Sequence, residues 1–442
     1  MPYNYKVWFY TLGCRVNQYE TDAARELFIS AGYEIVNDPS EADICIVNTC
    51  TVTGEADRKS RQHLRGASRL NPDALIVAMG CASELSDGVF DADIVLGTRD
   101  KNEIVNRVEE FLSAKREYTH KSFHTRPDIT RRDVYHDFGT IISPEGCRAF
   151  MKIEDGCNNF CTFCVIPFAR GRVASRSRES IREEACNLAS SGFKEIIVSG
   201  IEVCSYGSDR GEGIESFLSV LEDISGVEGI ERIRLGSLEP SSLKEEFVEG
   251  LSHIKQLCPH FHLSLQSGSD SVLKRMNRKY DTALYLKTVE LLRRYFPGMK
   301  LTTDIICGFP GETDDEFNET LAFVKACGID KVHVFPYSLR EGTRAASMVQ
   351  ISGDVKKKRS EILRNLSDEQ ERLYAQKLVG SRLSLLIESY TEREDGLYGS
   401  GYSREYVYCS FKADRSNKPR IGSIVEVEAL GSDSLSLLCK LL

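Results

Sequence analysis

Short apolar runs rich in Val and Ile recur along residues 6–337, and a stretch of helical periodicity follows most of them. KVWFYTLG (6–13), DICIVNT (43–49), LIVAMG (75–80) and DIVLGT (93–98) read as buried strands, with helical spacing over 18–31 and 56–70. Strands alternating with helices predict an open parallel sheet, hence an α/β chain. From residue 148 the rhythm resumes, with candidate strands at 148–155, 194–200, 231–237, 260–267, 300–308 and 330–337. Helical stretches at 176–192, 213–226, 241–253, 269–276, 280–295 and 313–327 separate or follow them. Six such units predict a partial (βα)6 barrel rather than the closed eight-unit form. A long helix is expected at 353–377. Beyond it, RLSLLIES (382–389), EYVYCSF (405–411), SIVEVEA (423–429) and SLSLLCKLL (434–442) predict a small β-barrel of the kind that binds oligonucleotides. The expected boundaries are 1–115, a polar linker over 116–142 with at most a short hairpin, 143–375, and 376–442.

Fifteen cysteines stand in this chain of 442 residues, an odd number. No basic segment and cleavage site opens the chain, and no apolar run approaches the roughly 18 residues that span a bilayer. A cytoplasmic protein with no membrane association is expected, and there thiols serve as ligands or as packing rather than as a disulfide framework.

Cys157, Cys161 and Cys164 carry the sharpest chemical signal, spaced Cys-x3-Cys-x2-Cys in GCNNFCTFC just after the first barrel strand. Cubane iron–sulfur clusters take four thiolates. Three leave one iron without a protein ligand and able to bind a small molecule. Zinc would require a fourth Cys or His nearby, and three inert thiols in one loop are the other alternative. A second set has no local motif. Cys14, Cys50 and Cys81 each follow an apolar run directly, in YTLGC, IVNTC and VAMGC. In a parallel sheet those strand ends share one edge, where open α/β sheets bind ligands. Gly13 and Gly80 would let the backbone turn closely there. The three thiols then converge on a second open cluster, unless they are unrelated buried cysteines like Cys45.

The spacing at 157, 161 and 164 at the head of a partial barrel resembles the radical S-adenosylmethionine (SAM) superfamily. TLGCRVNQYE, VNTCTVTGEADRKSRQ and AMGCASE, with CNNFCTFCVIPFARG, SLQSGSDSVLKRMNRKY and DIICGFPGET, are similar to the methylthiotransferases. TLGCRVNQYE and ADRKSRQHLR resemble the subgroup acting on tRNA N6-threonylcarbamoyladenosine. The resemblance implies an N-terminal methylthiotransferase domain, a radical SAM core and a C-terminal module like the TRAM nucleic-acid-binding domain. It implies two 4Fe–4S clusters and SAM as cofactors, the anticodon stem-loop of tRNA as partner, and an electron donor such as a flavodoxin or ferredoxin. The implied reaction begins with methylation of sulfur on the cluster of Cys14, Cys50 and Cys81. Reductive cleavage of a second SAM at Cys157, Cys161 and Cys164 then gives a radical that takes hydrogen from C2 of the adenosine at tRNA position 37. The methylthio group transfers to that carbon. Alternatives are methylthiolation of isopentenyladenosine or of a ribosomal-protein aspartate, and a non-enzymatic iron–sulfur redox sensor that binds RNA. No catalytic side chain is singled out beyond the cysteines.

Ligand-contacting residues of such barrels gather at strand C-termini. Gly200, Glu239, Gln266, Gly308 and Glu312 occupy those places and are the expected SAM contacts, with Ser264 and Arg278 behind them. Each could instead be a turn or capping residue. After Gly200 the family would commonly show an Asn-type loop, whereas this chain has IEVCSYG, and Cys204 is given no ligand role.

The net charge of −9 excludes a uniformly basic surface but not a local groove. Arg58, Arg61, Arg65 and Arg69 fall on one helical stripe of about 80°, and no acid occurs from 58 to 70. That stripe is expected to contact RNA phosphates, the alternative being a solvated face. Arg170 and Arg172, with Arg176 and Arg178, add a basic run after the cysteine loop. The last segment, 376–442, holds nine basic and nine acidic residues, so RNA binding there would rely on stacking on Tyr402, Tyr406 and Tyr408.

Overall fold

In the computed structural model, which describes residues 5–86, 90–113, 121–123, 128–131, 133–142, 144–433 and 435–442, the N-terminal sheet is fully parallel. Its order is Glu34–Ile35, Lys6–Thr11, Ile44–Thr49, Leu75–Gly80, Ile94–Leu96, Lys121–Phe123. Ile44–Thr49 and Leu75–Gly80 are buried at every position, as central strands covered on both faces must be. Ile44 and Ile46 pack toward the helices Arg15–Ser30 and Ile104–Ser113, while Cys45 and Val47 pack toward Gly54–Leu70. Thr53 caps Gly54–Leu70 by accepting the Ala56 N–H at 3.1 Å.

The linker expectation is corrected. Lys121–Phe123 pairs in parallel with Ile94–Leu96 and completes the N-terminal sheet. Farther on, Phe138 and Ile141 pack against Tyr19, and Asp137 pairs with Arg176. The segment is polar because it is a seam between two domains, where its backbone and carboxylates meet buried partners. Residues 114–120 and 124–127 lie outside the described residues.

Six parallel strands form the central partial barrel, as the rhythm predicts. They are Arg148–Lys152, Glu195–Ser199, Arg232–Leu235 continued as Ser237–Leu238, His260–Leu263, Lys300–Cys307 and Lys331–Pro336. The third strand breaks at Gly236, where a Cβ would stand 3.0 Å from the Val198 carbonyl oxygen. The helix Gly353–Lys377 then runs to the last domain, and its Tyr374 and Ala375 enter that domain's core.

The C-terminal domain is a closed barrel of five strands, in the order Arg382–Arg393, Gly396–Ser403, Tyr408–Lys412, Ser436–Leu441, Ile424–Asp433. Gly396–Ser403 has no strand signature because its sequence, GLYGSGYS, is chosen for closeness rather than for packing. A Cβ on Gly401 would lie 1.8 Å from the Leu386 carbonyl oxygen, and one on Gly399 would meet the Phe411 ring at 2.6 Å. This barrel docks on the strand-start end of the central one. Arg232 donates to the Tyr402 carbonyl at 3.1 Å and Arg234 to the Arg404 carbonyl at 2.9 Å, while Arg148 pairs with Glu388 at 2.7 Å. Among the described residues, no helix is long and apolar enough to cross a membrane.

Candidate active site at two cysteine triads

Cys157, Cys161 and Cys164 lie in the loop between Glu154–Asp155 and the short helix Ile166–Arg170. The loop is pinned from several sides. Cys157 N–H donates to the Gly171 carbonyl at 3.1 Å and Thr162 N–H to the Met276 carbonyl at 3.0 Å. Gly156, at φ 76°, is obligatory, because a Cβ there would sit 2.1 Å from the Arg172 carbonyl oxygen. Arg278 donates to the Cys161 Sγ at 3.2 Å and to Glu239 at 2.6 Å. Burial pushes the Cys164 thiol up to about 12, with Cys161 adding to the rise.

Cys14, Cys50 and Cys81 stand at the C-terminal ends of three neighbouring parallel strands. Asn17 ties two of those ends together, donating to the carbonyls of Leu12 at 2.7 Å and Thr49 at 3.0 Å. Gly13 turns at φ 110° so close to Cys50 that a Cβ would stand 2.9 Å from its Sγ. Burial pushes the Cys50 thiol up to about 12, and Cys81 and Cys14 add to that rise, so the three thiols sense one another. The three strand ends that carry these cysteines lie side by side on one edge of the sheet.

The two triads face one another. A cavity of about 170 Å³ is lined by Val52 and Thr53, next to Cys50, and by Cys164 and Gln266 from the barrel. Cys81 adds to the upward shift of Cys164. Arg170 bridges the two sides. It donates to the Cys81 Sγ at 3.1 Å, to Asn17 at 2.9 Å, to Glu20 at 2.8 Å and to Asp155 at 3.0 Å. Lys152 reaches Glu20 at 2.9 Å and Asp155 at 2.5 Å, and Lys101 also bonds Glu20. Three buried cations thus face two carboxylates, leaving one positive charge in surplus beside Cys81.

This corrects the expectation that Arg170 grips RNA. Its side chain is wholly buried among those partners and closed off from an RNA backbone at the surface. The Arg176 side chain is likewise buried, paired with Glu184 at 2.9 Å. Arg172 remains partly exposed, stacked over Phe160 and bonded to the Ile129 carbonyl at 2.6 Å. The arginine stripe on Gly54–Leu70 is largely paired with acids. Arg58 meets Glu55 at 2.7 Å, Arg61 meets Asp57 at 3.6 Å and Arg65 meets Asp91 at 3.5 Å. Those acids lie in the helix's first turn and in a following loop, outside the acid-free window. Arg69 is exposed. Tyr402 and Tyr406 stack on each other at 4.6 Å under Arg148 and Arg234, so they face the barrel rather than an open RNA surface.

Of the expected SAM contacts, Gln266 lines the cavity at φ 70°, held by backbone bonds to Asp304 and Ile306. Glu239 sits beside the first triad through Arg278. Gly200 is crowded from behind, since a Cβ would lie 2.2 Å from the Glu154 Oε1. Gly308 and Glu312 play a different part from the one expected. A Cβ on Gly308 would strike Lys356 at 2.5 Å, and Glu312 accepts the Gly308 N–H at 2.7 Å and pairs with Arg359 at 2.6 Å. Both seat the helix Gly353–Lys377 against the barrel. Sequence reasoning missed Glu154 and Glu202. Burial and then Glu239 push the Glu202 carboxyl up to about 8, and Glu202 is near enough to Cys157 to raise that thiol. Each of the two has a buried oxygen without a hydrogen-bond partner. For Glu202 the one available signal was position, two residues past the strand-end Gly200.

Both triads fit a four-iron body better than a single ion. Three thiolates on one zinc at about 2.3 Å stand about 3.8 Å apart. Among the described residues, the one grouping with all ligand atoms within 4.8 Å is His262, Asp304 and His333. Neither triad is drawn up that tightly, and each has N–H donors aimed at a sulfur.

A partial parallel barrel carrying such a cysteine loop defines a radical SAM enzyme. The Radical SAM superfamily model matches residues 151–324, and the model of Uncharacterized protein family UPF0004 matches 6–95. The threonylcarbamoyladenosine tRNA methylthiotransferase MtaB of Bacillus subtilis is 39% identical over 431 residues, covering 96% of this chain and 93% of that protein. The Aquifex aeolicus protein of the same name is 38% identical, covering 86% and 92%. A tRNA-2-methylthio-N(6)-dimethylallyladenosine synthase of Pelotomaculum thermopropionicum is 32% identical, covering 95% and 94%. The radical SAM methyltransferase TsrM of Kitasatospora setae shares the fold at a TM-score of 0.58 and 16% identity, covering 77% of this chain and 75% of its own. The chain belongs to the radical SAM methylthiotransferases, in the MtaB subgroup. Its family uses SAM and a 4Fe–4S cluster.

Proposed function

We propose that this chain is a cytoplasmic tRNA methylthiotransferase that inserts a methylthio group at C2 of N6-threonylcarbamoyladenosine in the anticodon stem-loop. One 4Fe–4S cluster is assigned to Cys157, Cys161 and Cys164 and a second to Cys14, Cys50 and Cys81. The carrying observation is that Cys164 of the first set lines a cavity whose other wall is Val52 and Thr53, just past Cys50, while Arg170 from the first cysteine loop's helix donates to the Cys81 Sγ at 3.1 Å. When bound, the two clusters and SAM supply a one-electron route to a carbon-centred radical and a sulfur donor, which an unactivated aromatic C–H requires.

The chain's own residues make that chemistry local. Arg278 and Arg170 donate N–H groups to one sulfur of each triad, which stabilises thiolate charge. In this reading Glu202 and Glu239, beside the first triad, accept hydrogen bonds from the ammonium and hydroxyl groups of SAM, and Gln266, which lines the cavity, bonds its adenosyl part. Phe163, Ile306 and Phe335 line the cavity with apolar surface, keeping water from a reactive intermediate. An electron donor of the flavodoxin or ferredoxin class serves as reductant.

The test is iron and sulfide analysis of anaerobically reconstituted protein beside mass spectrometry of product nucleosides. About eight irons per chain are expected, falling to about four in Cys50→Ala/Cys81→Ala. That variant should still release 5′-deoxyadenosine under dithionite while making no methylthio product. Four irons in the parent protein, or an unchanged nucleoside profile in a deletion strain, defeats the reading.

A further inference from the structure

A second cavity, of about 450 Å³, lies between the strand-start half of the central barrel and the C-terminal barrel. Its wall is built by alternate residues of three neighbouring strands: His260 and His262, Lys300 and Thr302, Lys331 and His333. Tyr406 of the C-terminal barrel also lines it, and so does Arg15, the residue directly after Cys14. It meets the cysteine cavity at Asp304, which lines the smaller space and lies 3.4 Å from the His262 Nε2 of the larger.

The charges of this chamber are not evenly matched. Lys300 and Lys331 share Glu371, each at 2.9 Å. Asp304 is met by His262. Asp433 is exposed. For Arg15 no carboxylate lies within ion-pair distance among the described residues, and Tyr406 lines the same chamber beside it. Tyr406 is itself over-held, at φ 64°, with Arg234 over its ring at 4.6 Å and His260 against it at 4.7 Å. A half-buried guanidinium on a chamber wall, beside a tightly held tyrosine and with no carboxylate partner, is built for an anion from outside. Leu435 is the chamber's one aliphatic residue, and the rings of Tyr402, Tyr406 and Tyr408 supply the rest of its apolar wall.

We propose that Arg15, positioned by Tyr406, binds a carboxylate at the end of the substrate's N6 substituent and so selects a carboxylate-bearing adenosine over one with an alkyl arm. This rests on the methylthiotransferase reading and deepens it. C2 of adenine faces the cysteine cavity while the N6 arm enters the polar chamber, so one base spans both. The feature matters because the MtaB relative at 39% identity and the dimethylallyladenosine relative at 32% differ little in overall likeness.

The experiment uses the full chain with both clusters reconstituted and three anticodon stem-loops, carrying N6-threonylcarbamoyladenosine, its carboxylate methyl ester, or N6-dimethylallyladenosine. With the parent protein, the methyl ester should raise KM about 10- to 100-fold over the free acid, the worth of a charged hydrogen-bond pair. With Arg15→Gln, the acid should lose by the same factor, and esterification should then cost less than about threefold. Tyr406→Phe should show a smaller loss confined to the acid. Iron content is measured on each variant, and one that loses iron is replaced by Arg15→Lys, for which an intermediate KM is expected. Equal KM for acid and ester on the parent protein, or an ester penalty undiminished in the Arg15 variants, overturns the assignment. A parent protein that methylthiolates none of the three overturns the reading beneath it instead.

Discussion

The buried charge cluster under the two triads permits a test that does not need iron. Arg170, Lys152 and Lys101 face Glu20 and Asp155, three cations against two carboxylates. Replacing Arg170 with Gln leaves two of each sign, so the cost is the lost donors to Asn17 and Cys81 and the weakened grip between domains. We expect about 3 kcal/mol, the lower end for breaking a buried pair. Replacing Glu20 with Gln instead leaves three buried cations on one carboxylate, and the expected cost rises to about 5 kcal/mol. The order Glu20→Gln worse than Arg170→Gln follows from the sign of the surplus charge. The chain's one tryptophan, Trp8, lies in Lys6–Thr11, so its fluorescence in urea follows the N-terminal sheet specifically. Apo proteins should be compared, because a bound anionic cluster would absorb part of the surplus. Midpoints in the reverse order, or both variants within about 1 kcal/mol of the parent, would refute the charge count.

Gly156→Ala should lose about half of the reconstituted iron, because a Cβ at 2.1 Å from the Arg172 carbonyl oxygen cannot coexist with the first cysteine loop. Iron analysis decides it, and full loading would show that the loop can open. Asp22 is buried and its carboxyl is pushed up to about 7, so between about pH 4 and 7 the folded state binds the more protons and stability falls as pH rises. Asp22→Asn should flatten that slope in urea titrations at stepped pH, whereas an unchanged slope assigns it elsewhere. On Gly54–Leu70, Arg69→Gln should reduce the salt dependence of tRNA binding by about one unit of log–log slope, and Arg58→Gln by less, since Arg58 is already held by Glu55 at 2.7 Å. Filter binding across salt concentrations separates the two, and equal slopes would remove the stripe from the interface.

Local patterning carried the strands and helices because each answers to a local cause. Ile44–Thr49 reads as a strand because both its faces are buried, and Gly353–Lys377 reads as a helix over its full length. Gly396–Ser403 was illegible because its glycines are demanded by Leu386 and Phe411, residues of other strands. The same divide runs through the site. Cys157, Cys161 and Cys164 announce themselves by spacing, and Cys14, Cys50 and Cys81 by strand ends. Arg170 did not, since a basic run after a cysteine loop looks the same whether its arginines face phosphate or carboxylate. What decides is Glu20, 150 positions away in sequence and 2.8 Å away in space. Gly308 and Glu312 show the reverse: the helix Gly353–Lys377 that they touch lies beyond the barrel in sequence, so strand-end patterning does not reveal their part in seating it.

Arg170 also makes the two halves of the site interdependent. It lies six residues after Cys164, on the helix Ile166–Arg170 that closes the first cysteine loop, yet its side chain ends on Cys81, Asn17 and Glu20 of the other domain. Asn17 in turn holds the strand ends that carry Cys14 and Cys50. Any displacement of the first loop is therefore passed to the second triad through one rigid, planar group rather than through a flexible surface. Two separately folded cluster domains joined by a tether would have no use for such a buried bridge, because burying five charged groups at an interface costs desolvation that a loose linkage avoids. The bridge is explicable if the reaction requires the two triads at a fixed separation around one substrate atom, and it locates the demand for precision at the interface rather than within either domain.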